Sequence, residues 1–370
     1  MGLVRSMMNS WGQLEPVTQQ ALLTLVRAVG AFAVLMFLVS YVVLIERRVC
    51  AWIQDRLGPN RCGPFGLLQP AADAIKAFLK EDFTPAHVRR VLFTLAPALV
   101  MLPAILNLAV IPFGSAPGTA SGSWVVADLN VGLVYVFGIL SLSVYGIVLA
   151  GYASNSRYPL LGGLRSGAQL ISYEVLMGLS AVPVFLWVGS LNLSEILAAQ
   201  TGRLQWAPSW LPLPNWLALQ SPMLLLSLCL FLVAALAETN RTPFDLPEAE
   251  QELAGGYNIE YSSMRFALFF MGEYAAMILA AALMTTLFFG GWTLPWWGLD
   301  RPAQTFLGGL LHVGIFLAKV LALLLVFIWV RWMWPRFRYD QLMRLSWCKL
   351  IPLALLNILI TAIWLWWQSL

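Results

Sequence analysis

Residues 22–45, LLTLVRAVGAFAVLMFLVSYVVLI, form an apolar run of about 24 residues in which Arg27 is the one charge. A bilayer crossing needs about 20 mostly apolar residues, and it needs them helical, because hydrocarbon offers no water to satisfy stray backbone N–H and C=O groups. A secretory signal has a shorter apolar core and ends at a small-residue cleavage site, whereas this run leads straight into ERRVCAWIQDR. It is expected to be a mature transmembrane helix. Seven further runs of the same kind follow, at roughly 91–113, 129–152, 168–190, 222–240, 263–290, 306–330 and 350–368. Of the 370 residues, 60% are hydrophobic and 11% charged, with a mean hydropathy of +0.76. Soluble domains carry about a quarter charged residues. The expected fold is therefore one integral membrane domain over 1–370, an all-α polytopic protein of about eight transmembrane helices.

Orientation follows from the basic residues, which gather in cytoplasmic loops. Alternating the loops around eight spans puts 17 of the 22 Lys and Arg on one side, four (Arg5, Arg27, Arg203 and Arg301) at or near the other, and Lys319 within a span. The rich side is expected to be cytoplasmic, with both termini outside. The net charge of +4 thus reflects topology, and no basic cluster supports nucleic-acid binding. Cys50, Cys62, Cys229, Cys348, His87 and His312 are scattered, so no usual metal, haem or iron-sulfur spacing can be built from them alone. Nucleotide-binding glycine motifs are missing as well.

The longest cytoplasmic connection, residues 46–90, alternates at helical period in its second half. Leu68, Ala71, Ile75, Phe78 and Leu79 share one face, while Gln69, Asp73, Lys76 and Lys80 share the other. This spacing predicts an amphipathic helix that either lies in the membrane interface or lines a ligand entrance. The two Gly-Pro steps of GPNRCGP before it predict a turn. Pro97 and Pro103 fall within the second span, where prolines are tolerated.

Charged residues at mid-membrane cost at least about 2.5–3.5 kcal/mol, so they point to function. Glu174, Glu273 and Lys319 lie well inside apolar runs. No residue three or four positions on can neutralise either glutamate, and Lys319 is available to pair with one of them. Arg27 and Arg265 lie near span ends, where a long side chain can snorkel to the surface.

A second cytoplasmic loop, 237–262, contains AETNRTPFDLPEAEQELAGGYNIEY, with six carboxylates against one arginine. Asp245 and Glu248 fit a helix-capping pattern, with Pro247 in the first turn and Gly255-Gly256 as the stop. Glu248 and Glu252 then share a face as like charges, and Glu238, Glu250 and Glu260 have no such local role. Squeezed between two spans and rich in Pro, Phe, Leu and Tyr, the segment is expected to be partly buried. Its carboxylates would then titrate as a coupled set able to take up and pass on protons.

The motifs ERR, Q-x-R-x-GPNR-x-G, GLLQPAAD, KAFLKED, VVADLNVG, YPLLGGLRSGAQLISYEV, AETNRTPFDLPEAEQELAGGYNIEYSSMRFALFFMGEY, TLFFGGW and RYDQLM run in order from residue 46 to about 343. In them the chain resembles the quinone-site membrane subunit of respiratory complex I, the family of bacterial NADH:quinone oxidoreductase membrane subunits that includes mitochondrial NADH dehydrogenase subunit 1. The resemblance implies eight transmembrane helices whose cytoplasmic loops form the membrane half of a quinone chamber. It implies a quinone as substrate, with NADH, FMN and iron-sulfur clusters held by peripheral partner subunits and no cofactor bound by this chain alone. Glu46, Arg47, Gln54, Arg56 and Asp73 become chamber or entrance residues. Glu174, Glu238, Asp245, Glu248, Glu250, Glu252, Glu260 and Glu273, with Arg241 as counter-charge, become the path linking quinone reduction to proton translocation.

The expected setting is a bacterial inner membrane, with iron-sulfur and quinone-site peripheral subunits and other membrane-arm subunits as partners. Rival expectations are the anchor of a related energy-converting hydrogenase, a stand-alone secondary ion transporter using Glu174, Glu273 and Lys319, and a purely structural anchor. Residues 1–20, FGSAPGTASGSW and the Trp- and Pro-rich stretch 191–221 carry no usable motif.

Overall fold

A computed structural model describes residues 16–115, 123–204, 213–246, 255–296 and 298–370. Its helices are α1 (Pro16–Ile53), α2 (Gln69–Leu79), α3 (Arg90–Leu108), α4 (Gly132–Ala153), α5 (Arg157–Val188), α6 (Leu193–Ala198), α7 (Leu217–Gln220), α8 (Pro222–Glu238), α9 (Ser263–Phe288), α10 (Phe306–Met333), α11 (Tyr339–Leu345) and α12 (Ile351–Ser369). A five-residue π-helical segment, Ser346–Leu350, joins α11 to α12 without a break. Among the described residues the only β pairing is an isolated bridge between Arg203 and Pro214.

Among the described residues seven helices are long and apolar enough to cross a membrane: α1, α3, α4, α5, α9, α10 and the continuous α11–α12 rod. The remaining expected span forms α8, an apolar helix of 17 residues. The chain is a multi-pass all-α membrane protein. Helix α5 starts about three turns before the span expected at 168, taking in the stretch YPLLGGLRSG. That stretch reads as loop because of its arginines and glycines, yet the glycines are what let it pack. A Cβ on Gly151 of α4 would sit 2.4 Å from the carbonyl oxygen of Pro159, and one on Gly162 would sit 3.0 Å from the Gly256 backbone. Small residues that admit such close backbone approach are the usual cement of membrane helices, where apolar surface gains nothing by leaving lipid.

Helix α9 is the centre of the bundle. Every residue from Met277 to Phe288 is buried, so it is apolar all round rather than striped, as a helix enclosed by others must be. Helices α1, α3 and α10 lie against it, and α4, α5 and α8 complete the ring. Lys319 of α10 does not pair with a glutamate. Its Nζ donates to the carbonyls of Phe289 and Thr293 at 2.7 and 2.8 Å and lies over the Trp216 ring at 4.7 Å. The last carbonyls of a helix lack intrahelical partners, and the ammonium satisfies one just past the end of α9. Arg265 meets Asp82 at 3.3 Å and Thr84 at 2.7 Å at the other end.

Between α1 and α3, the Gly-Pro steps make the expected turn. Gly63 and Gly66 both take a φ of +73°, and a Cβ on Gly66 would meet the Pro59 carbonyl at 2.2 Å. Helix α2 follows, as its amphipathic period predicts, and leaves Ile75, Phe78 and Leu79 uncovered. Its start is tied to α1 through Asp73, which accepts from Arg47 at 2.8 Å and from Gln69 at 3.0 Å.

Candidate functional site

The C-terminal ends of α1 and α10, the N-terminal part of α9 and the loop after α8 line a polar cavity of about 580 Å³. Glu46 of α1 is 4% exposed and Arg241 of the loop 9%. The guanidinium of Arg241 bridges two helices: Nη1 donates to Glu46 Oε1 at 3.0 Å, and Nε makes a charge contact with Glu273 Oε1 of α9 at 3.1 Å. Its plane also lies 4.4 Å from the centre of the Tyr274 ring. Burial alone would lower the proton affinity of Arg241, but Glu273 and Glu46 override it and hold the pKa above its ordinary value. This arginine is therefore a fixed charge.

Arg331, at the end of α10, donates to the same Glu46 oxygen, and the Trp332 indole N–H donates to Cys50 Sγ at 3.2 Å. Arg47, Gln54, Arg56 and Asp245 complete the wall, with Arg56 donating to Gln54 at 2.7 Å. Four arginines thus face three carboxylates, Glu46, Asp245 and Glu273. Among the described residues, Nη2 of Arg241, Oε2 of Glu46 and Oδ1 of Asp245 are buried with no hydrogen-bond partner. Buried polar atoms are nearly always paired, so such a cluster is a place made for another molecule.

A second acidic group lies deeper. Glu238 is the last residue of α8, 9% exposed, with Oε2 unpartnered, and it interacts electrostatically with Glu174 of α5. Gln169, a turn before Glu174, donates through Nε2 to the carbonyls of Ala237 and Phe244, both at 2.8 Å, and to Asn240 Oδ1 at 3.3 Å. It binds α5 to the end of α8 and to the loop that carries Arg241. Glu260 lies apart, half-buried, with Oε1 3.9 Å from His87 Nε2, beside the stacked pair Tyr261 and Phe93.

A profile of the NADH dehydrogenase family matches residues 26–362. The chain belongs to that family. Its similar relatives bear the name of the H-type subunit of NADH-quinone oxidoreductase. The first such protein of Geobacter metallireducens is 50% identical over 351 residues, covering 94% of this chain and 98% of the relative. The second of Geobacter sulfurreducens is 52% identical over 333 residues, 89% and 92% of the two chains. That of Rickettsia typhi is 49% identical over 328 residues, 89% of each.

Within this NADH dehydrogenase chain the site residues expected from sequence fall into distinct places. Glu46, Arg47, Gln54, Arg56, Arg241, Asp245 and Glu273 line one cavity, and Asp73 stands at its margin, bound to Arg47. Glu174 and Glu238 form the deeper group, and Glu260 is separate. Glu248, Glu250 and Glu252, with the short helix expected from the capping pattern, lie outside the described residues. Sequence reasoning missed Arg331, Trp332, Tyr274 and Gln169. Arg331 was visible only as one more basic residue at a cytoplasmic span end.

Asp245 supplies a pH signature. Burial raises its pKa, and Arg336, 2.6 Å away, Arg331 and Arg241 only partly offset this. The folded state then holds the proton to higher pH than the unfolded chain does, so ionisation of Asp245 subtracts from stability. The penalty is absent below the ordinary aspartate range and grows as pH rises through the raised value. The melting temperature of the Asp245→Asn complex should therefore gain on wild type as pH rises above about 4. A difference independent of pH would refute the assignment.

Proposed function

We propose that this chain is the membrane subunit of an NADH-quinone oxidoreductase, which encloses a quinone together with peripheral subunits and couples its reduction to proton translocation. The observation that carries the reading is the polar cavity of about 580 Å³ with partnerless atoms on Arg241 and Glu46. Small-molecule sites run from about 300 to 1,000 Å³ with a few convergent polar groups. A quinone headgroup presents carbonyl oxygens that accept hydrogen bonds from donors such as Arg241 Nη2. Glu46, Arg47, Gln54 and Arg56 belong to the chamber, and Asp73 to its entrance beside the uncovered apolar face of α2.

Two electrons delivered to the quinone place negative charge beside these groups, and uptake of two protons completes the neutral quinol. Arg241 touches both Glu46 in the chamber and Glu273 in the membrane helix, so a charge change on one side is felt on the other. From there Asp245, Glu238, Glu174 and the loop carboxylates Glu248, Glu250, Glu252 and Glu260 form the coupling path. NADH oxidation, FMN and the iron-sulfur clusters belong to peripheral partners on the cytoplasmic face, and other membrane-arm subunits receive the coupling signal. The setting is a bacterial inner membrane with both termini outside. Relatives near 50% identity that bear the oxidoreductase name favour this over a hydrogenase anchor.

The test is a photoreactive quinone analogue added to the assembled complex. Label should fall on residues 46–59 and 331–332 and be displaced by excess quinone; label confined to 191–221 would remove the chamber. In the same complex, joint Glu250→Gln and Glu252→Gln substitution should depress proton pumping, and wild-type rates of both pumping and electron transfer would sink the coupling role.

A further inference from the structure

At the end of the bundle away from the polar chamber, α1 stands off from its neighbours. Leu25, Val26, Val29 and Val34 are all exposed, and a Cβ on Gly30 would meet nothing within 4 Å. The gap is an apolar groove of about 380 Å³ between α1, α9 and α10, closed at its outer end by Phe113 and Trp124. Its deep end is formed by Leu38, Leu279 and Val320.

One group in the groove is charged. Arg27 lies on the wall with Phe113, Trp124 and Leu310, level with the ends of α3 and α10. It has no carboxylate or hydrogen-bond partner among the described residues. From Arg27 to Leu38 is eleven residues, or about 16 Å along the helix. One leaflet of hydrocarbon is about 15 Å deep. A single cation at the interface, an indole beside it in the position tryptophans favour, and an apolar channel one leaflet deep are complementary to one kind of molecule.

We propose that this groove is a binding site for an anionic phospholipid, its phosphate on Arg27 and one acyl chain laid between α1, α9 and α10 as far as Leu38 and Val320. The lipid fills the gap beside Gly30 and braces the outer half of α1, whose inner end carries Glu46. Its binding does not depend on a quinone, so it stands or falls apart from the chamber.

The experiment uses the assembled complex reconstituted in phosphatidylcholine vesicles containing phosphatidylglycerol with a diazirine at the end of one acyl chain. Irradiation should label the segments around Leu38 and Val320. Excess unlabelled phosphatidylglycerol should suppress the label, and excess phosphatidylcholine should not. Arg27→Gln should weaken labelling about fivefold, the worth of one basic residue at an anionic lipid surface, and Gly30→Phe should block it. Equal competition by both lipids would reduce the site to ordinary annular lipid and overturn the proposal, as would label found on a partner protein seated over the groove, or no label at these segments. If either variant fails to assemble, headgroup competition on the wild-type complex decides alone.

Discussion

Arg241→Met is expected to abolish quinone reduction and to weaken assembly of the complex, the largest single-residue effect in the site. The substitution leaves Glu273 buried without the guanidinium 3.1 Å from it, and leaves Glu46 held by Arg331 alone. Removing one partner of a buried ion pair costs about 3–5 kcal/mol, because the remaining charge is stranded. Arg241→Lys should recover little, since one ammonium cannot reach from Nη1 and Nε positions to carboxylates on two helices. The informative variant is the triple, Arg241→Met with Glu46→Gln and Glu273→Gln. It removes all three charges, and the one cavity group that loses its ion-pair partner is Arg331, whose side chain is 45% exposed and cheap to leave unpaired. Assembly and thermal stability should return, and proton pumping should not. If Arg241→Met alone keeps wild-type quinone reductase activity, the bridge has no functional role. If the triple variant is no more stable than the single, the cost lies in packing against Tyr274 rather than in charge.

How much of this was legible in the sequence depends on the range over which each interaction acts. Membrane spans are local, since a run such as 22–45 declares its helix without reference to any other segment, and the Gly-Pro steps before α2 fix a turn from within. The cavity's acidic and basic residues were legible too, because charge in an apolar chain is conspicuous. What was hidden is partnership. Lys319 and Glu273 lie 46 positions apart and both sit in apolar helices, so a pair was a natural expectation. The lysine instead serves the carbonyls beyond α9, a role defined by where that helix ends and which face of α10 it meets. Arg331 both ends an apolar span and lines the cavity, and only the first can be read from position. Gln169 gave no signal at all, being a neutral polar residue in the first turn of the span expected at 168–190. Its acceptors lie 68 to 75 residues further along the chain.

That concealed glutamine yields the second large effect. Gln169→Leu keeps the side chain's bulk but withdraws the Nε2 donor, leaving the carbonyls of Ala237 and Phe244 to the backbone N–H groups of Asn240 and Leu246 alone. A hydrogen bond contributes about 0.5–1.5 kcal/mol net, so losing the two together costs about 1–3 kcal/mol. One of these carbonyls lies in the last turn of α8 and the other in the loop that holds Arg241. Amide hydrogen exchange in residues 237–246 should therefore rise sharply and the complex should melt earlier. Function should fall unevenly. Glu174 follows Gln169 on α5 and Glu238 ends α8, so loosening this clasp disturbs the spacing of the two glutamates more than it disturbs the chamber. Proton pumping per quinone reduced should drop further than quinone reduction itself. Ser166→Ala is the control, because Ser166 is equally buried on the same helix yet its hydroxyl has no partner to lose. Its loss should leave stability and coupling near wild type. Equal losses in the two variants would mean that α5 merely tolerates no change there, whereas a loss confined to Gln169→Leu locates the effect in the clasp between α5, α8 and the loop.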